Sequence, residues 1–353
     1  MALDSISRRF SLAQKIQSVK LTVAQAMTDE FFLLHPDWAV RYGERGRQFC
    51  TADACFHLEF LAGAIQAGSP EAFADYAAWT ARMLGARGID AHTLEENLAQ
   101  LEKHLAPVLP AAGRQEVAAF LAKGRQACAQ SQAASAAQAP DAALGLTRNA
   151  FAAAIVGGDR QAALGIAEEA LRTGSHHVDI YVDVIGEALR SVGALWEENR
   201  ISVAQEHLAT AITQYVIAMI FPRLVPTAPS RGNMVVTGVA GEQHQIGANL
   251  VADAMESSGW GVRFLGTNLP HSTILGVVEG IAADVLCIST TLVANLPAAA
   301  DLVREVHARL GARAPRIVLG GAAFRLTPSF ALEIGSPTET IPDLRQALAL
   351  LCA

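Results

Sequence analysis

The sequence is poor in cysteine, in aromatic residues and in basic charge. Its 353 residues include 5 cysteines, 6% aromatic residues, and 27 lysines and arginines against 34 aspartates and glutamates. Five scattered cysteines provide neither a disulfide framework nor the two cysteine pairs of a zinc site, which indicates a reducing compartment. The net charge of −7 gives no electrostatic reason to expect nucleic acid or an anionic membrane as a direct partner.

Long apolar runs are also absent. No uncharged stretch reaches the roughly 18 apolar residues that a membrane span needs, and residues 1–10 lack the apolar core of an export signal. We therefore expect a cytoplasmic protein. Hydrophobic residues nevertheless make up 51% of the chain and charged residues 17%. That composition predicts a folded protein, and the length predicts about two or three domains.

A stretch rich in Ala, Gln and Ser divides the chain at residues 129–142 (AQSQAASAAQAPDA). It contains no large apolar residue and cannot offset its ordering entropy by burial, so we interpret it as an interdomain linker. Apolar residues before it follow helical spacing, and no alternating strand pattern appears. Residues 1–128 are therefore predicted to form an all-helical domain of about six helices, with Pro70 opening one of them and Gly85 with Gly88 closing it.

The pattern after the linker changes once more. Residues 143–228 remain helical and fit a four-helix bundle. Residues 229–353 instead alternate short β-branched runs with stretches long enough for helices. The predicted strands are Met234–Val239, Val262–Leu265, Val285–Ser289, Arg316–Leu319 and a weak fifth at Glu339–Ile341. Five alternating strands predict a flavodoxin-like, doubly wound α/β domain with a parallel sheet.

Ligands of such sheets bind at the carboxyl ends of the strands. The loop after the first strand carries Glu242 and His244, and Gly247 begins the next helix. An imidazole in this loop can coordinate a metal, and a carboxylate two residues earlier can hold its remote ring nitrogen. After the third strand come three successive hydroxyl residues, of which Ser289 and Thr291 are the candidate binding residues. After the fourth strand comes a glycine pair, Gly320 and Gly321, where a ligand can press against bare backbone.

In this order the three loops resemble the cobalamin-binding fold, whose pattern is Asp-x-His-x-x-Gly, then Ser-x-Leu or Ser-x-Thr, then Gly-Gly. The resemblance implies that His244 replaces the cofactor's dimethylbenzimidazole as the lower ligand of cobalt. It also implies that the nucleotide tail enters a slot lined by Ser289, Thr291 and Gly320. Glu242 departs from the family's Asp, which puts the geometry of its contact with the histidine in question.

The bundle carries a second motif, Trp196 followed after nine residues by Glu206 and His207. Read by itself, it is a core aromatic followed by a polar pair on a helix surface. The same pattern is typical of the light-sensing cobalamin modules of bacterial carotenogenesis repressors, and it implies adenosylcobalamin. In those repressors the helical bundle caps the upper face of the cofactor. Trp196 would then pack over the adenosyl group, and Val203, Glu206 and His207 would complete the cap. Glu197 stands where those repressors have a histidine that captures cobalt after photolysis.

The winged helix with which those repressors read DNA is not found, and an all-helical segment stands in its place, so we expect no direct DNA binding. Within residues 1–128, His57 lies on an apolar helix, with Tyr76 and Trp79 further along. A single histidine of this kind is most often a core residue, and the arginines around Arg47 are most simply a solvated loop.

A globin-like helical domain joined to an adenosylcobalamin module resembles the photocobilins, photoreceptors that hold biliverdin beside cobalamin. The resemblance implies that His57, Tyr76 and Trp79 contact the bilin rings and that Arg47 pairs with a propionate. Cys50 and Cys55 are the cysteines that could attach a bilin covalently.

The hypothesis that follows is a light sensor rather than an enzyme. Loss of the adenosyl group would change domain packing or the state of a homo-oligomer, and an unidentified partner protein would read that change. One alternative is a corrinoid protein that shuttles methyl groups for a methyltransferase. Another is a redox sensor that couples haem in the N-terminal domain to cobalamin.

Overall fold

Two kinds of architecture follow one another along the chain, first helices alone and then a helix-flanked sheet. The computed structural model describes residues 2–131, 144–224, 231–334, 339–341 and 343–352. The chain divides into two compact units. The first contains the N-terminal helices with the described residues of 290–304 and 322–336, and the second contains the bundle and the sheet. The predicted linker at 129–142 lies outside the described residues from 132 onward.

The described N-terminal residues form five long helices, whereas the sequence predicts about six. They are α1 (Ala2–Leu34), α2 (Pro36–Ala67), α3 (Pro70–Gly85), α4 (Ala91–Leu105) and α5 (Ala111–Gln130). Gly43 breaks α2 with φ 56° and ψ −151°. Ser69 caps α3 by accepting a hydrogen bond from the Ala72 N–H, directly before Pro70. The all-helical prediction is thus confirmed for residues 2–131, whereas the globin-like arrangement stays a prediction.

Although α1 and α2 are 33 and 32 residues long, no helix in the described part of the chain is long and apolar enough to cross a membrane. Part of their apolar surface is buried in the first unit, whereas Leu33, Val40 and Phe49 are exposed. The largest fully buried side chains there include Phe31, Phe73, Leu58, Leu61 and Leu94. Burying such side chains stabilises the fold by about 1.5–3 kcal/mol each.

Residues 144–224 form four helical rods. The rods are α6 (Gly145–Gly157), α7 (Arg160–Arg172), a third that joins α8 (His177–Asp179), a π-helical turn (Ile180–Gly186) and α9 (Glu187–Glu197), and α10 (Val203–Ile220). Asp159 caps α7, and Ser202 with Gln205 forms a reciprocal capping box on α10. Phe151 and Tyr181 are fully buried between the rods. Short loops and an apolar interior are what the sequence predicts for this region.

The sheet has five parallel strands in the order β2-β1-β3-β4-β5. They are β1 (Asn233–Gly238), β2 (Gly261–Phe264), β3 (Val285–Ser289), β4 (Arg316–Gly320) and β5 (Glu339–Ile341). The helices are α11 (Ile246–Ser257), α12 (His271–Gly280), α13 (Leu296–Leu310), α14 (Ala322–Leu326), α15 (Pro328–Glu333) and α16 (Leu344–Cys352). This order is the flavodoxin-like one, so the predicted doubly wound sheet is confirmed.

The strand register brings the predicted loop positions to one edge. Gly238 at the end of β1 lies beside Ser289 of β3, which lies beside Gly320 of β4. Gly320 in turn lies beside Ile341 of β5. Because every strand runs in the same direction, the loops that follow these residues leave the sheet from its carboxyl edge.

Two segments that follow strands, one after β3 and one after β4, belong to the first unit. A 3₁₀ turn at Val293–Asn295 meets α2 so closely that a Cβ on Gly63 would collide with the carbonyl oxygen of Val293. The ring of Phe330 lies 6.2 Å from that of Phe10, and Arg9 donates to Glu333 at 2.5 Å. No sequence pattern marks this grouping, since it depends on a backbone-to-backbone approach.

Candidate functional site

The loop between β1 and α11 presents a histidine that a buried carboxylate holds in place. Glu242 is fully buried, and its Oε1 lies 2.6 Å from Nδ1 of His244. The same oxygen accepts hydrogen bonds from the backbone N–H groups of Gln243 and His244, each at 3.0 Å. An ionised carboxylate only accepts hydrogen bonds, so we assign the imidazole proton to Nδ1. The lone pair of Nε2 is then available, and the His244 side chain is 54% exposed.

Neighbouring backbone fixes the course of this loop. Gly241 has φ 83°, a conformation that favours glycine, and its N–H donates to Oδ1 of Asn268 at 2.9 Å. The N–H of Asn268 returns a bond to the carbonyl of Val239 at 3.2 Å. A Cβ on Gly238 would press against the side chain of Thr267. The loop after β2 therefore supports the loop that carries the histidine.

These observations fit the approach of cobalamin to this loop, as the resemblance implies. A Cβ on Gly247 would meet no atom within 4 Å, so the backbone at the start of α11 is open. His244 offers an exposed Nε2 on a ring whose orientation is set by Glu242, which is the usual arrangement of a metal-ligating histidine. The replacement of the family's Asp by Glu242 does not prevent the contact, since the longer side chain reaches Nδ1 at hydrogen-bonding distance.

The residues predicted for the nucleotide slot lie at the carboxyl edge or directly after it. Ser289 and Gly320 are register neighbours on β3 and β4. Gly321 follows with φ 101°, again a conformation that favours glycine. Thr291 is partly buried in the segment that follows Ser289.

Thr290 lies between Ser289 and Thr291, and the sequence does not single it out as a binding residue. Thr290 is fully buried, and its Oγ1 has no hydrogen-bond partner within the described ranges. Its carbonyl accepts from the N–H of Ala323 at 3.2 Å. A buried hydroxyl without a partner costs about 1–3 kcal/mol, which a bound polar group can recover. The only sequence signal was its place in a row of three hydroxyl residues.

The four cap residues predicted from the Trp196 motif lie at the junction of α9 and α10. Trp196, in the last turn of α9, is partly buried against the same apolar cluster as Ile246, the first residue of α11. Glu206 accepts from Thr210 Oγ1 at 3.1 Å and lies 2.6 Å from Nδ1 of His207. Val203 and His207 are exposed. The structure thus joins the tryptophan to the helix that follows the His244 loop through one hydrophobic cluster.

Three of the four residues predicted to contact a bilin lie together in the first unit. Nδ1 of the buried His57 is 2.7 Å from the hydroxyl of Tyr76. The Tyr76 ring lies 6.4 Å from that of Trp79. Arg47 instead donates to Asp29 at 2.5 Å and lies over the ring of Phe32.

Burial lowers the pKa of His57 to about 4, below its ordinary value of 6.5. At this position the folded protein therefore binds fewer protons than the unfolded chain between these values, so the contribution of His57 to stability falls as the pH falls through that range. We expect His57 to account for a loss of about 3 kcal/mol by pH 4, measured as the difference in the urea unfolding of the first unit between the unchanged protein and a variant without this histidine, at pH 7 and at pH 4. A His57→Phe/Tyr76→Phe double variant should show a correspondingly weaker pH dependence, and an unchanged slope would contradict this assignment.

Two family models match the chain. Both are described as a B12 binding domain, one over residues 147–220 and the other over residues 232–339. The first range covers the bundle, with Trp196, Glu206 and His207. The second covers β1 to β4 and the first residue of β5, with His244 and the loops that follow β3 and β4.

Curated relatives share these regions at low identity. Methionine synthase of Mycobacterium tuberculosis is 28% identical over 178 residues, which are 50% of this chain and 15% of that protein. The HTH-type transcriptional repressor CarA of Myxococcus xanthus is 29% identical over 134 residues, 38% of this chain and 46% of the repressor. The chain thus spans less than half the length of these two relatives.

A solved structure shares the fold. The Methanosarcina barkeri monomethylamine corrinoid protein has a TM-score of 0.53 at 18% identity. The match covers 60% of this chain and 99% of that protein. At this identity the likeness shows the fold alone.

Proposed function

We propose that this chain, a cobalamin-binding protein with B12-binding domains at residues 147–220 and 232–339, works as a light sensor that carries adenosylcobalamin. His244 would be the lower ligand of cobalt, since Glu242 leaves its Nε2 available. The observation that carries the light-sensing part of the proposal is the motif of Trp196, Glu206 and His207, three of the four cap residues. A protein that only carries methyl groups has no need of it.

The bound group would supply a cobalt–carbon bond that light can break. The cap residues would shield that bond and recognise the adenosyl group. Trp196 offers a flat apolar surface, and Glu206 offers carboxylate oxygens that accept hydrogen bonds from ribose hydroxyls. Thr210 and His207 already hold the Glu206 carboxylate from two sides, so it is oriented before a ligand arrives.

The N-terminal helices would form a globin-like domain that binds biliverdin as a second chromophore. His57, Tyr76 and Trp79 give an aromatic cluster of the kind that packs against tetrapyrrole rings. Arg47 would have to exchange Asp29 for a propionate, since it is ion-paired in this structure. This part of the proposal rests on the resemblance in domain layout and is tested separately from cobalamin binding.

The output would be a change in domain packing or in the state of a homo-oligomer, read by a partner protein, without catalysis. The chain's charge of −7 gives no electrostatic support for DNA contact, so we propose a protein as the recipient. The two B12-binding domains also fit a second candidate, a corrinoid carrier of methyl groups. Such a carrier would bind methylcobalamin and would not depend on Trp196.

We expect the absorption bands of protein loaded with adenosylcobalamin and biliverdin to change irreversibly under green light, while a red bilin band stays with the protein. The spectrum is recorded before and after illumination, with hydroxocobalamin-loaded protein as the light-independent control. A light-stable spectrum, or binding of methylcobalamin alone, would favour the methyl carrier. A missing red band would contradict the bilin assignment and leave the cobalamin assignment in place.

A further inference from the structure

A π-helical turn interrupts the third rod of the bundle. It spans Ile180–Gly186, between α8 and α9. A Cβ on Gly186 would lie 3.2 Å from the carbonyl oxygen of Tyr181, five residues earlier, as expected where hydrogen bonds run from i to i+5. Such turns are rare in helices and are frequent at functional sites. The surrounding structure must therefore stabilise this one.

Polar contacts hold the turn from two sides. On the inner side, the hydroxyl of the buried Tyr181 donates to Oδ2 of Asp253 on α11 at 3.1 Å. On the outer side, Arg345 of α16 donates to Asp179 at 2.8 Å and to Asp183 at 2.7 Å. Asp179 lies directly before the turn and Asp183 lies within it, so the arginine spans the point where the hydrogen-bond register changes.

The turn is connected to both parts of the proposed cobalamin site, the cap residue Trp196 and the loop that carries His244. Downstream of the turn, α9 runs without a break to Trp196. The anchor helix α11 begins at Ile246, directly after the His244 loop. A change of register in the turn would therefore move Trp196 while Asp253 keeps the turn fixed to the helix that follows the cobalt ligand.

We propose that the turn Ile180–Gly186 is a register joint, which converts to α-helical hydrogen bonding when Trp196 loses the group that it packs against. A shift of one residue rotates the downstream helix by about 100° and moves it by about 1.5 Å. The loop between α9 and α10 would accommodate the extra length of one residue. In this loop Asn199 already has a left-handed φ of 57°. The joint is an element with two discrete states, as a switch requires.

This inference rests on the proposed binding of adenosylcobalamin but not on its photolysis, so the test uses no light. Hydrogen–deuterium exchange of the full chain is compared in the dark between the adenosylcobalamin-loaded and the hydroxocobalamin-loaded protein. We expect amides of residues 180–187 to differ by about tenfold or more, while those of α7 stay within about twofold. Equal exchange of residues 180–187 in both forms, or a uniform change across the bundle, would overturn the joint. A light-stable cofactor would contradict the proposed function and leave this result intact.

Two matched substitutions test the inner anchor. Tyr181→Phe removes the hydroxyl that donates to Asp253. Tyr215→Phe removes a hydroxyl from α10, on a ring that lies under Arg160 of α7. We expect the first variant to lose the exchange difference and the second to keep it. A tenfold difference that persists in Tyr181→Phe would overturn the role of the anchor. Arg345→Gln, on the partly exposed outer side, should also reduce the exchange difference of residues 180–187. This variant replaces Tyr181→Phe in the test if circular dichroism shows that Tyr181→Phe does not fold.

Discussion

A Glu242→Ala variant will bind cobalamin about 10–100-fold more weakly than the unchanged protein, the usual cost of removing the partner of a metal-ligating histidine. The substitution removes the acceptor of two backbone N–H groups and the group that holds Nδ1 of His244. The loop loses its shape, and the imidazole loses both its orientation and its fixed proton. Affinity is measured by titration with hydroxocobalamin, followed by absorbance.

Three comparisons separate the effect of Glu242 from general damage. Glu242→Gln keeps an oxygen that can accept the same bonds, so it should lose much less affinity than the alanine variant. Glu305→Ala breaks another carboxylate–histidine pair, 3.0 Å from His271, and should leave affinity unchanged. His244→Ala should lose the spectrum of imidazole-ligated cobalt altogether. An unchanged spectrum in His244→Ala would contradict the assignment of the cobalt ligand, and unchanged affinity in Glu242→Ala would contradict the role of the carboxylate.

The sheet and the cobalt-ligand loop could be predicted because their signals are local. β-Branched runs predicted all five strands within a residue or so of their observed ends. The carboxyl edge of a parallel sheet then fixed where Glu242 and His244 had to lie. The distance from Glu242 to His244 confirms that the two side chains meet, as their spacing in the loop suggested.

Other features escaped prediction because they depend on contacts between distant parts of the chain. Nothing in the helical periodicity of residues 177–197 marks a π-helical turn, which is held by Asp253 and Arg345 from far along the sequence. The ion pair of Arg47 with Asp29, on the preceding helix, is likewise not marked by any sequence pattern, and the pairing of Arg47 with a propionate stays a prediction. Thr290 does not differ in sequence from the hydroxyl residues on either side of it, and only its burial sets it apart.

A Gly63→Ala variant is expected to destabilise the first unit by about 1–3 kcal/mol, although the same change in an open helix stabilises it by about 0.5–1 kcal/mol. A Cβ on Gly63 would collide with the carbonyl oxygen of Val293 and would lie 3.2 Å from Cα of Ala294. Both obstacles are backbone atoms, so no side-chain rotation relieves the clash, and α2 must move away from the 3₁₀ turn.

The chain has more than one compact unit and need not unfold in a single step, so unfolding is followed by hydrogen exchange in increasing urea. Peptides of α2 should open at lower urea in Gly63→Ala, while peptides of α7 in the second unit should not change. Gly85→Ala is the matched control, since a Cβ there would meet no atom within 4 Å. Equal urea midpoints of α2 exchange in Gly63→Ala and Gly85→Ala would contradict the prediction, since they would show that α2 moves away from Val293 without losing stability. A lowered midpoint in the first variant alone would show that this contact holds the segment after β3 to the N-terminal helices, and with it Thr291, a residue predicted to line the nucleotide slot.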